Sequence, residues 1–197
     1  RLPNGMDGVT GLNQPGIQPG KTFVYEFVAR RPGTFMYHPH ADEMVQMAMG
    51  MMGFWVTHPK NPAQHAVDRD FVFLLNAYDI EPGSYTPRVN EMLDFNIWTI
   101  NSRAFPGIDS MNVRQGDRVR IRAGNLTMTN HPIHLHGMWS ELESESGEFL
   151  VRKHTINVQP AQRITYRVTA DAPGHWAYHC HLLYHMEAGM FREVVVS

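Results

Sequence analysis

The chain is predicted to be an all-β protein made of Greek-key β-sandwiches. Short runs rich in β-branched and aromatic residues recur along its 197 residues, and Gly, Pro, Asn and Asp separate them. Sustained helical periodicity is scarce, and apolar residues make up 43% of the chain, enough for a packed core. Evenly spaced short strands around such a core are typical of sandwiches.

Three strands are predicted before residue 61, which is too few for a complete sandwich. They are Thr22–Ala29, Thr34–His40 and Gly53–Thr57. Three strands alone would leave bare edges and an uncovered apolar face. We therefore expect residues 1–60 to be the C-terminal part of a first domain that is incomplete at its N-terminus. The polar, proline-containing stretch 61–70 is expected to be a linker.

A complete second sandwich is expected over residues 71–197, because the number of strands after the linker is that of a sandwich. The predicted strands are Phe71–Ala77, Met92–Ile100, Asp117–Arg122, one around His134, Phe149–Val158, Arg163–Thr169, Trp176–His181 and Met190–Val196. The linker of about a dozen residues leaves no room for a third domain between the two.

Charge and hydropathy argue against two classes of partner. The formal net charge is −2, which gives no electrostatic reason to expect nucleic acid or an anionic membrane as partner. No run of about 18 apolar residues is present, so no membrane span is predicted.

The lone cysteine of the chain is the strongest functional signal. Cys180 lies between His179 and His181, and His185 and Met190 follow within ten residues. A single cysteine cannot form an intrachain disulfide, so its flanking residues must explain it. Two histidines, one thiolate and a weak axial methionine are the ligands of a blue-copper electron-transfer site.

The histidine spacing predicts a second metal cluster on the opposite face of a strand. Residues i and i+2 of a β-strand point to one face and residue i+1 to the other. His134 with His136, and His179 with His181, are therefore expected to converge on one cluster. Cys180 then points to the other face, and a few covalent bonds join the two sites across on the order of 10 Å.

Three motifs resemble those of the multicopper oxidases. HPIHLHG (131–137) and HCHLLYHMEAGM (179–190) match two of that family's four copper motifs, and YHPH (37–40) matches a third. The resemblance is nearest to the bacterial copper-resistance members. It covers essentially everything after the linker and, more weakly, the first sixty residues. It implies that the sandwiches are cupredoxin-like.

The resemblance also implies a role for each ligand. The type 1 copper would be held by His131, Cys180, His185 and axial Met190. The binuclear type 3 copper would be held by His38, His40, His136, His179 and His181. His134 would bind the type 2 copper, Asp7 would assist proton delivery, and a complete set of sites would hold four copper ions.

The family's first motif, an HxHG that would come before the YHPH motif, is not found there. Residues 1–20 resemble the segment that directly follows that first motif. Two-domain members of the family form a ring of three, with the trinuclear cluster between subunits. We therefore expect a homotrimer, whose heterologous contacts close through cyclic symmetry. A periplasmic or secreted location is also expected.

Three functions are open at this stage. The first is a copper-dependent, laccase-like oxidase that couples one-electron oxidation of a phenol or of copper(I) to four-electron reduction of O2. The second is a blue-copper carrier or copper-binding resistance protein in which only the type 1 site works. The third, a copper nitrite reductase, does not need the paired HxH motifs.

Residues 42–52 carry two further open questions. Met44, Met47 and Met51 have helical spacing, so an apolar helix face is favoured over a copper(I) site of thioether ligands. The carboxylates of Asp42 and Glu43 are either solvated charges or part of a substrate or proton path.

Overall fold

A sandwich of two β-sheets forms the main body of the protein. The structure, a computed structural model, describes residues 2–89 and 94–197, except the side chain of residue 64. One sheet has six strands in the order β4-β3-β6-β11-β8-β9 and the other has five in the order β10-β7-β12-β13-β5. The all-β prediction is confirmed.

The first part of the chain contributes a separate two-stranded sheet. β1 (Gly33–Tyr37) pairs antiparallel with β2 (Gly53–Thr57), and the short helix α1 (Glu43–Ala48) lies between them. The predicted strand Thr22–Ala29 is wrong, because this segment pairs with no strand among the described residues. A partial domain of this kind agrees with the predicted incomplete first sandwich.

The strands of the main sandwich follow the linker. Their bounds are β3 (Arg69–Tyr78), β4 (Ile97–Ile100), β5 (Met111–Val113), β6 (Arg118–Asn125), β7 (His131–Leu135), β8 (Ser140–Glu143), β9 (Phe149–Lys153), β10 (Thr155–Val158), β11 (Arg163–Thr169), β12 (Gly174–Cys180) and β13 (Phe191–Val196), with helix α2 (Leu183–Glu187) between the last two. Short 3-10 helices span Asn4–Met6 and Pro62–His65.

Several predicted bounds differ from the observed ones. β3 begins at Arg69, inside the stretch expected to be linker. The predicted strand Met92–Ile100 starts on residues outside the described part of the chain, and β4 covers only its end. The single predicted strand Phe149–Val158 is two strands, and they lie in different sheets.

The core lies between the two sheets and is built by alternation. In β13 every second residue is buried, and in β12 the last three residues, Tyr178 to Cys180, are all buried. Phe73, Leu75 and Ile121 of the six-stranded sheet are at most 2% exposed. Burying one such side chain stabilises the fold by about 1.5–3 kcal/mol.

A hydrogen bond from an arginine of the six-stranded sheet, itself held by an ion pair within that sheet, links it to the two-stranded sheet. Arg122 makes a bidentate pair with Asp70, with both N–O distances 2.8 Å, and donates to the Thr34 hydroxyl at 2.7 Å. A side chain at Gly124 would clash with Phe54 and Met36, so glycine allows close packing there. The first part of the chain is thereby fixed against the sandwich.

The two α-helices that the described residues form contain six and five residues. Neither is long and apolar enough to cross a membrane.

Candidate metal centre

A buried triangle of ligand atoms lies at the end of β12. Cys180 Sγ is 3.6 Å from the Nδ1 atoms of both His131 and His185, which are themselves 3.2 Å apart. His131 comes from the first residue of β7, Cys180 from the last of β12, and His185 from α2. Together they form a type 1-like His–Cys–His site.

The dimensions of this triangle fit a transition-metal ion. The point equidistant from the three atoms lies about 2.0 Å from each of them, close to metal–nitrogen and metal–sulfur bond lengths of about 2.0–2.3 Å. The thiolate and imidazole donors are those that copper prefers in electron-transfer sites. His131 and Cys180 are fully buried and His185 is 8% exposed, so the site excludes water.

Burial holds the ligands in their neutral forms when no metal is bound. Desolvation, helped by the neighbouring His185, lowers the pKa of His131 to about 3. Desolvation also raises the pKa of the Cys180 thiol to about 11, although a backbone hydrogen bond with Leu182 opposes it. Both imidazole lone pairs are therefore available to a metal, while metal binding must displace the thiol proton.

A buried hydrogen-bond network selects the tautomer of His131. Its Nε2 lies 2.7 Å from the Thr127 hydroxyl, and that hydroxyl lies 2.7 Å from Asn125 Oδ1. Since the amide oxygen can only accept, Thr127 donates to Asn125 and accepts from His131 Nε2–H. This leaves the lone pair on Nδ1, the atom that faces Cys180. Asn125 is itself fixed by donating to Thr129 O and Val158 O.

Trp98 and backbone hydrogen bonds fix the remaining ligand positions. The indole stacks on the His185 ring with centroids 3.6 Å apart and an angle of 18°. Met190, the predicted axial ligand, is fully buried. Its N–H donates to His185 O, and its carbonyl accepts from Cys180 N–H, so backbone hydrogen bonds link the three residues. The axial role of the Met190 sulfur stays a prediction.

Four imidazoles gather on the opposite side of β12. His179 faces His134 in the strand register, and Cys180 faces Ile133. The ring centroids of neighbouring members of the group are 4.7–5.6 Å apart. The group consists of His134, His136, His179 and His181. Its assignment to type 2 and type 3 copper stays a prediction.

Hydrogen bonds also orient two members of this four-histidine group. His134 Nδ1 is 2.9 Å from His154 O, and His179 Nδ1 is 2.9 Å from Cys180 O. Each carbonyl can only accept, so each Nδ1 carries the hydrogen and Nε2 carries the lone pair. His136 Nε2 lies 3.1 Å from His179 Nε2. A metal-ligating histidine typically donates its other ring N–H in this way.

The remaining predicted ligands form a separate cluster with a carboxylate. His38 Nδ1 lies 3.2 Å from Glu43 Oε1 and His40 Nδ1 lies 3.5 Å from Glu43 Oε2. Within the described residues, no ring contact or hydrogen bond joins this cluster to the four-histidine group. Asp7 is exposed, and in the described part of the chain no hydrogen bond or ion pair joins it to a predicted ligand. Its proton-delivery role stays a prediction.

The expected apolar face of the methionine run is largely unburied. α1 ends at Ala48, so Met51 lies beyond it. Met44, Met49 and Met51 are 50–59% exposed. The helical spacing therefore does not mark a buried face here.

Sequence reasoning missed Asn125, Thr127 and Trp98. Asn125 and Thr127 lie six and four residues before the HPIHLHG motif, a proximity that could have drawn attention to them. Trp98 carries no local signal, because it reaches the site from β4 in the other sheet.

A buried imidazole–thiol–imidazole triangle at the end of a β-sandwich defines a cupredoxin-like copper protein. More narrowly, the chain belongs to the multicopper oxidase family. Profiles described as multicopper oxidase match residues 81–197 and residues 1–62. The partial first domain and the copper prediction are consistent with this membership.

Among individual relatives, the copper resistance protein A of Escherichia coli is 61% identical over 100 residues, which are 51% of this chain and 16% of that protein. A probable nitrite reductase–hydroxylamine oxidoreductase fusion protein of Kuenenia stuttgartiensis is 28% identical over 96% of this chain and 23% of its own length. The chain thus spans only about a sixth to a quarter of these relatives.

A similar solved structure is the blue copper oxidase from Nitrosomonas europaea. It superposes with a TM-score of 0.86 at 29% identity, covering 98% of this chain and 65% of that one. The whole described fold, including the partial first domain, therefore has a counterpart in a blue copper oxidase.

Proposed function

We propose that the protein oxidises phenolic substrates or copper(I), one electron at a time, at a type 1 copper and reduces O2 to water with four electrons at a trinuclear copper cluster. The observation that carries this proposal is that the last residues of β12 place ligand atoms on both faces of the strand. Cys180 belongs to the buried triangle, and His179 belongs to the four-histidine group. A simple electron carrier needs only the first of these sites.

The connection between the two sites supports electron transfer. Bound copper would supply reversible one-electron chemistry at the triangle. Cys180 is covalently joined to His179 and His181, and its carbonyl accepts a hydrogen bond from His179 Nδ1–H at 2.9 Å. The buried and tautomerically fixed ligands limit rearrangement when the charge at the site changes, which favours rapid transfer.

The proposed trinuclear cluster takes His134 for type 2 copper and His38, His40, His136, His179 and His181 for the type 3 pair. The separation of His38 and His40 from the four-histidine group within one chain supports a cluster shared between subunits. A closed ring of three would bring one subunit's His38 against its neighbour's His136. We therefore include the homotrimer in the proposal, with Asp7 delivering protons.

Two relatives bear on the reductant. Copper resistance protein A is named for copper resistance, which favours copper(I) as a substrate. The second relative is a structure described as the multicopper oxidase mgLAC, which superposes with a TM-score of 0.87 at 26% identity over 98% of this chain. It supports an oxidase without restricting the reductant to copper(I). Copper(I) and phenols both donate single electrons, so both remain in the proposal. We also propose a periplasmic or secreted location, which cell fractionation would test.

Oxygen uptake tests the proposal directly. The copper-loaded protein is mixed with copper(I) or a phenol in an oxygen-electrode cell, with metal-free protein as control. The proposal expects four equivalents of reductant oxidised per O2 consumed, with water and no hydrogen peroxide as product. Absence of uptake by fully metallated protein, or release of peroxide, would count against it.

A blue-copper carrier or copper-binding resistance protein is the second candidate. The observation that favours it is that His38 and His40 stand apart from the other four histidines. Copper analysis separates the two functions. About one copper per chain supports the carrier, and nearly four supports the oxidase. Nitrite reduction is not proposed, since it leaves the paired HxH motifs unexplained.

A further inference from the structure

We infer that Glu43 is a positioning residue that holds both His38 and His40, through their Nδ1–H groups, so that the two Nε2 atoms are presented to copper. This inference rests on the proposed function, because it assigns these histidines to the type 3 pair. It adds a residue that the histidine motif does not contain.

The geometry places one carboxylate against two imidazoles. Glu43 Oε1 is 3.2 Å from His38 Nδ1 and Oε2 is 3.5 Å from His40 Nδ1. The two rings lie 5.1 Å apart, tilted by 45°. Each oxygen of the carboxylate therefore lies within 3.5 Å of the Nδ1 of a different ring. Metal-ligating histidines commonly donate their second N–H to a carboxylate, which fixes both tautomer and orientation.

A second acceptor decides which nitrogen of His38 carries the hydrogen. Nδ1 also lies 3.2 Å from Pro39 O, so it faces a carbonyl and a carboxylate together. A bare lone pair at Nδ1 would be repelled by both oxygens, whereas an N–H is attracted by both. Nδ1 therefore holds the hydrogen, and Nε2 is the nitrogen left for a metal. This argues against Glu43 and His38 Nδ1 binding one ion together.

The backbone is bent so that Glu43 reaches back to the histidines. Asp42 adopts a left-handed conformation, with φ 49° and ψ 45°, immediately before α1. Such a conformation is unfavourable for most non-glycine residues and is often retained at functional sites. The Gln46 side chain donates to Ala41 O, and Gln46 N–H donates to Asp42 O. These two bonds close the turn and place Glu43 beside both rings.

Tautomer measurement tests the inference without copper. Two-bond ¹⁵N–¹H spectra of histidine-labelled, metal-free protein report which ring nitrogen is protonated. We expect the Nδ1–H tautomer for His38 and His40 in the wild type. In Glu43→Ala it should be lost at His40, whereas Pro39 O should still favour it at His38. The matched control is Asp42→Asn, which removes the adjacent, exposed carboxylate while asparagine tolerates the left-handed backbone. An Nε2–H tautomer in the wild type would overturn the inference.

Copper retention gives the second readout. Protein is dialysed against increasing concentrations of a copper chelator, and copper per chain is measured beside the visible absorption of the type 1 site. Glu43→Ala is expected to release copper from the type 3 pair at about 10–100-fold lower chelator concentration, with the type 1 absorption unchanged. Glu43→Gln should fall between Ala and wild type, because its one amide oxygen replaces two carboxylate oxygens.

The double variant His38→Ala/His40→Ala separates the inference from the proposed function. If it retains the full copper content, these histidines hold no copper and the proposed function fails. If it loses copper while Glu43→Ala behaves like Asp42→Asn, only the role of Glu43 fails. If Glu43→Ala and Glu43→Gln both lose as much copper as the double variant, Glu43 is a ligand, and the positioning role is overturned.

Discussion

The buried triangle and the His38–His40–Glu43 cluster both hold imidazoles that can bind a metal, but they differ in how far they are buried. The triangle is enclosed by its own sandwich, with His131 and Cys180 fully buried. In the other cluster the side chains of His38, His40 and Glu43 are 27%, 40% and 42% exposed. The first site is complete within one chain, and the second offers ligands to the outside.

The difference shows which parts of the site one sandwich can supply. Hydrogen bonds that fix His131 come from buried Asn125 and Thr127, which are shielded from water. The contacts with Glu43 are half-exposed, and even charged pairs at such exposure contribute only about 0–1 kcal/mol. We therefore expect the triangle to bind metal in a single chain. In the proposed assembly, the His38–His40–Glu43 cluster would gain its further copper ligands from a neighbouring subunit.

The largest expected effect comes from removing the thiolate. Cys180→Ser should abolish the visible absorption of the copper–thiolate bond and reduce oxidase activity to background, because the triangle loses the ligand that defines it. Absorption spectra and oxygen uptake measure both. The copper held by the histidine clusters should remain, leaving close to three copper ions per chain in the proposed assembly.

The next largest effect is expected when subunits carrying different substitutions are mixed, which tests whether the two sites act together across a subunit interface. A Cys180→Ser chain has an intact His38–His40–Glu43 cluster, and a His38→Ala/His40→Ala chain has an intact triangle. If the trinuclear cluster lies between subunits, equal mixing of the two inactive chains should restore about a quarter of wild-type activity. In a random mixture, a quarter is the probability that one subunit at an interface supplies intact His38 and His40 while its neighbour supplies the intact triangle.

Recovery is measured on co-expressed oligomers without selection for composition, with each variant alone as control. Oligomers purified through a tag on each chain should instead recover about a third, because one of the three interfaces in every mixed ring is intact. A cluster built within one chain predicts no recovery at all, so background activity in the mixed oligomer would refute the shared site.

A smaller effect is expected from the network behind His131. Thr127→Val keeps the side-chain shape but removes the acceptor for His131 Nε2–H, leaving a buried donor unpaired at a cost of about 1–3 kcal/mol. Copper affinity at the triangle should fall about 10–100-fold. Chelator titration of the type 1 absorption measures this.

Thr127→Ser, which restores the hydroxyl, should recover most of that affinity. The control Thr129→Val removes a nearby hydroxyl that, among the described residues, makes only a long bond of 3.5 Å to Asn130 O, so it should behave as wild type. Equal affinity in Thr127→Val and wild type would show that the network does not position His131.

The sequence predicted those features that depend on local spacing. Alternation in β7 and β12 was sufficient to bring His134 opposite His179 and to turn Cys180 away from them. The same alternation failed for Thr22–Ala29, where Phe23 and Tyr25 pack against each other and Phe27 against Trp55. Alternation of apolar residues does not show whether another strand lies alongside to pair with, because pairing partners are distant in sequence.

Features that depend on distant partners escaped prediction. β8 was missed because Glu141 and Glu143 make it look polar, yet Glu143 is buried and paired with Arg120 and Arg167. β5 is three residues long and pairs in parallel with β13, more than eighty residues away. Residues that come from different strands or sheets, such as Trp98, leave no mark in a local pattern.

The smallest expected effect is a pH dependence of the stability of the metal-free protein, to which the buried His131 should contribute and an exposed histidine should not. The pKa of His131 is lowered from 6.5 to about 3, so as pH falls below 6.5 the unfolded chain takes up a proton before the folded one does. The stability of the metal-free protein should therefore decline with acid, by roughly 2.3 kcal/mol between pH 6.5 and 4.5. For a chain of this size that corresponds to about 5–10 °C in Tm.

Thermal unfolding of metal-free protein across this pH range measures the decline. His131→Gln, which keeps an N–H for Thr127 but cannot take up a proton, should show a flatter dependence of Tm on pH. His58→Gln, a change at an exposed histidine, should retain the wild-type slope. Equal slopes in all three proteins would mean that His131 is protonated in the folded state and that its burial is less complete than the triangle indicates.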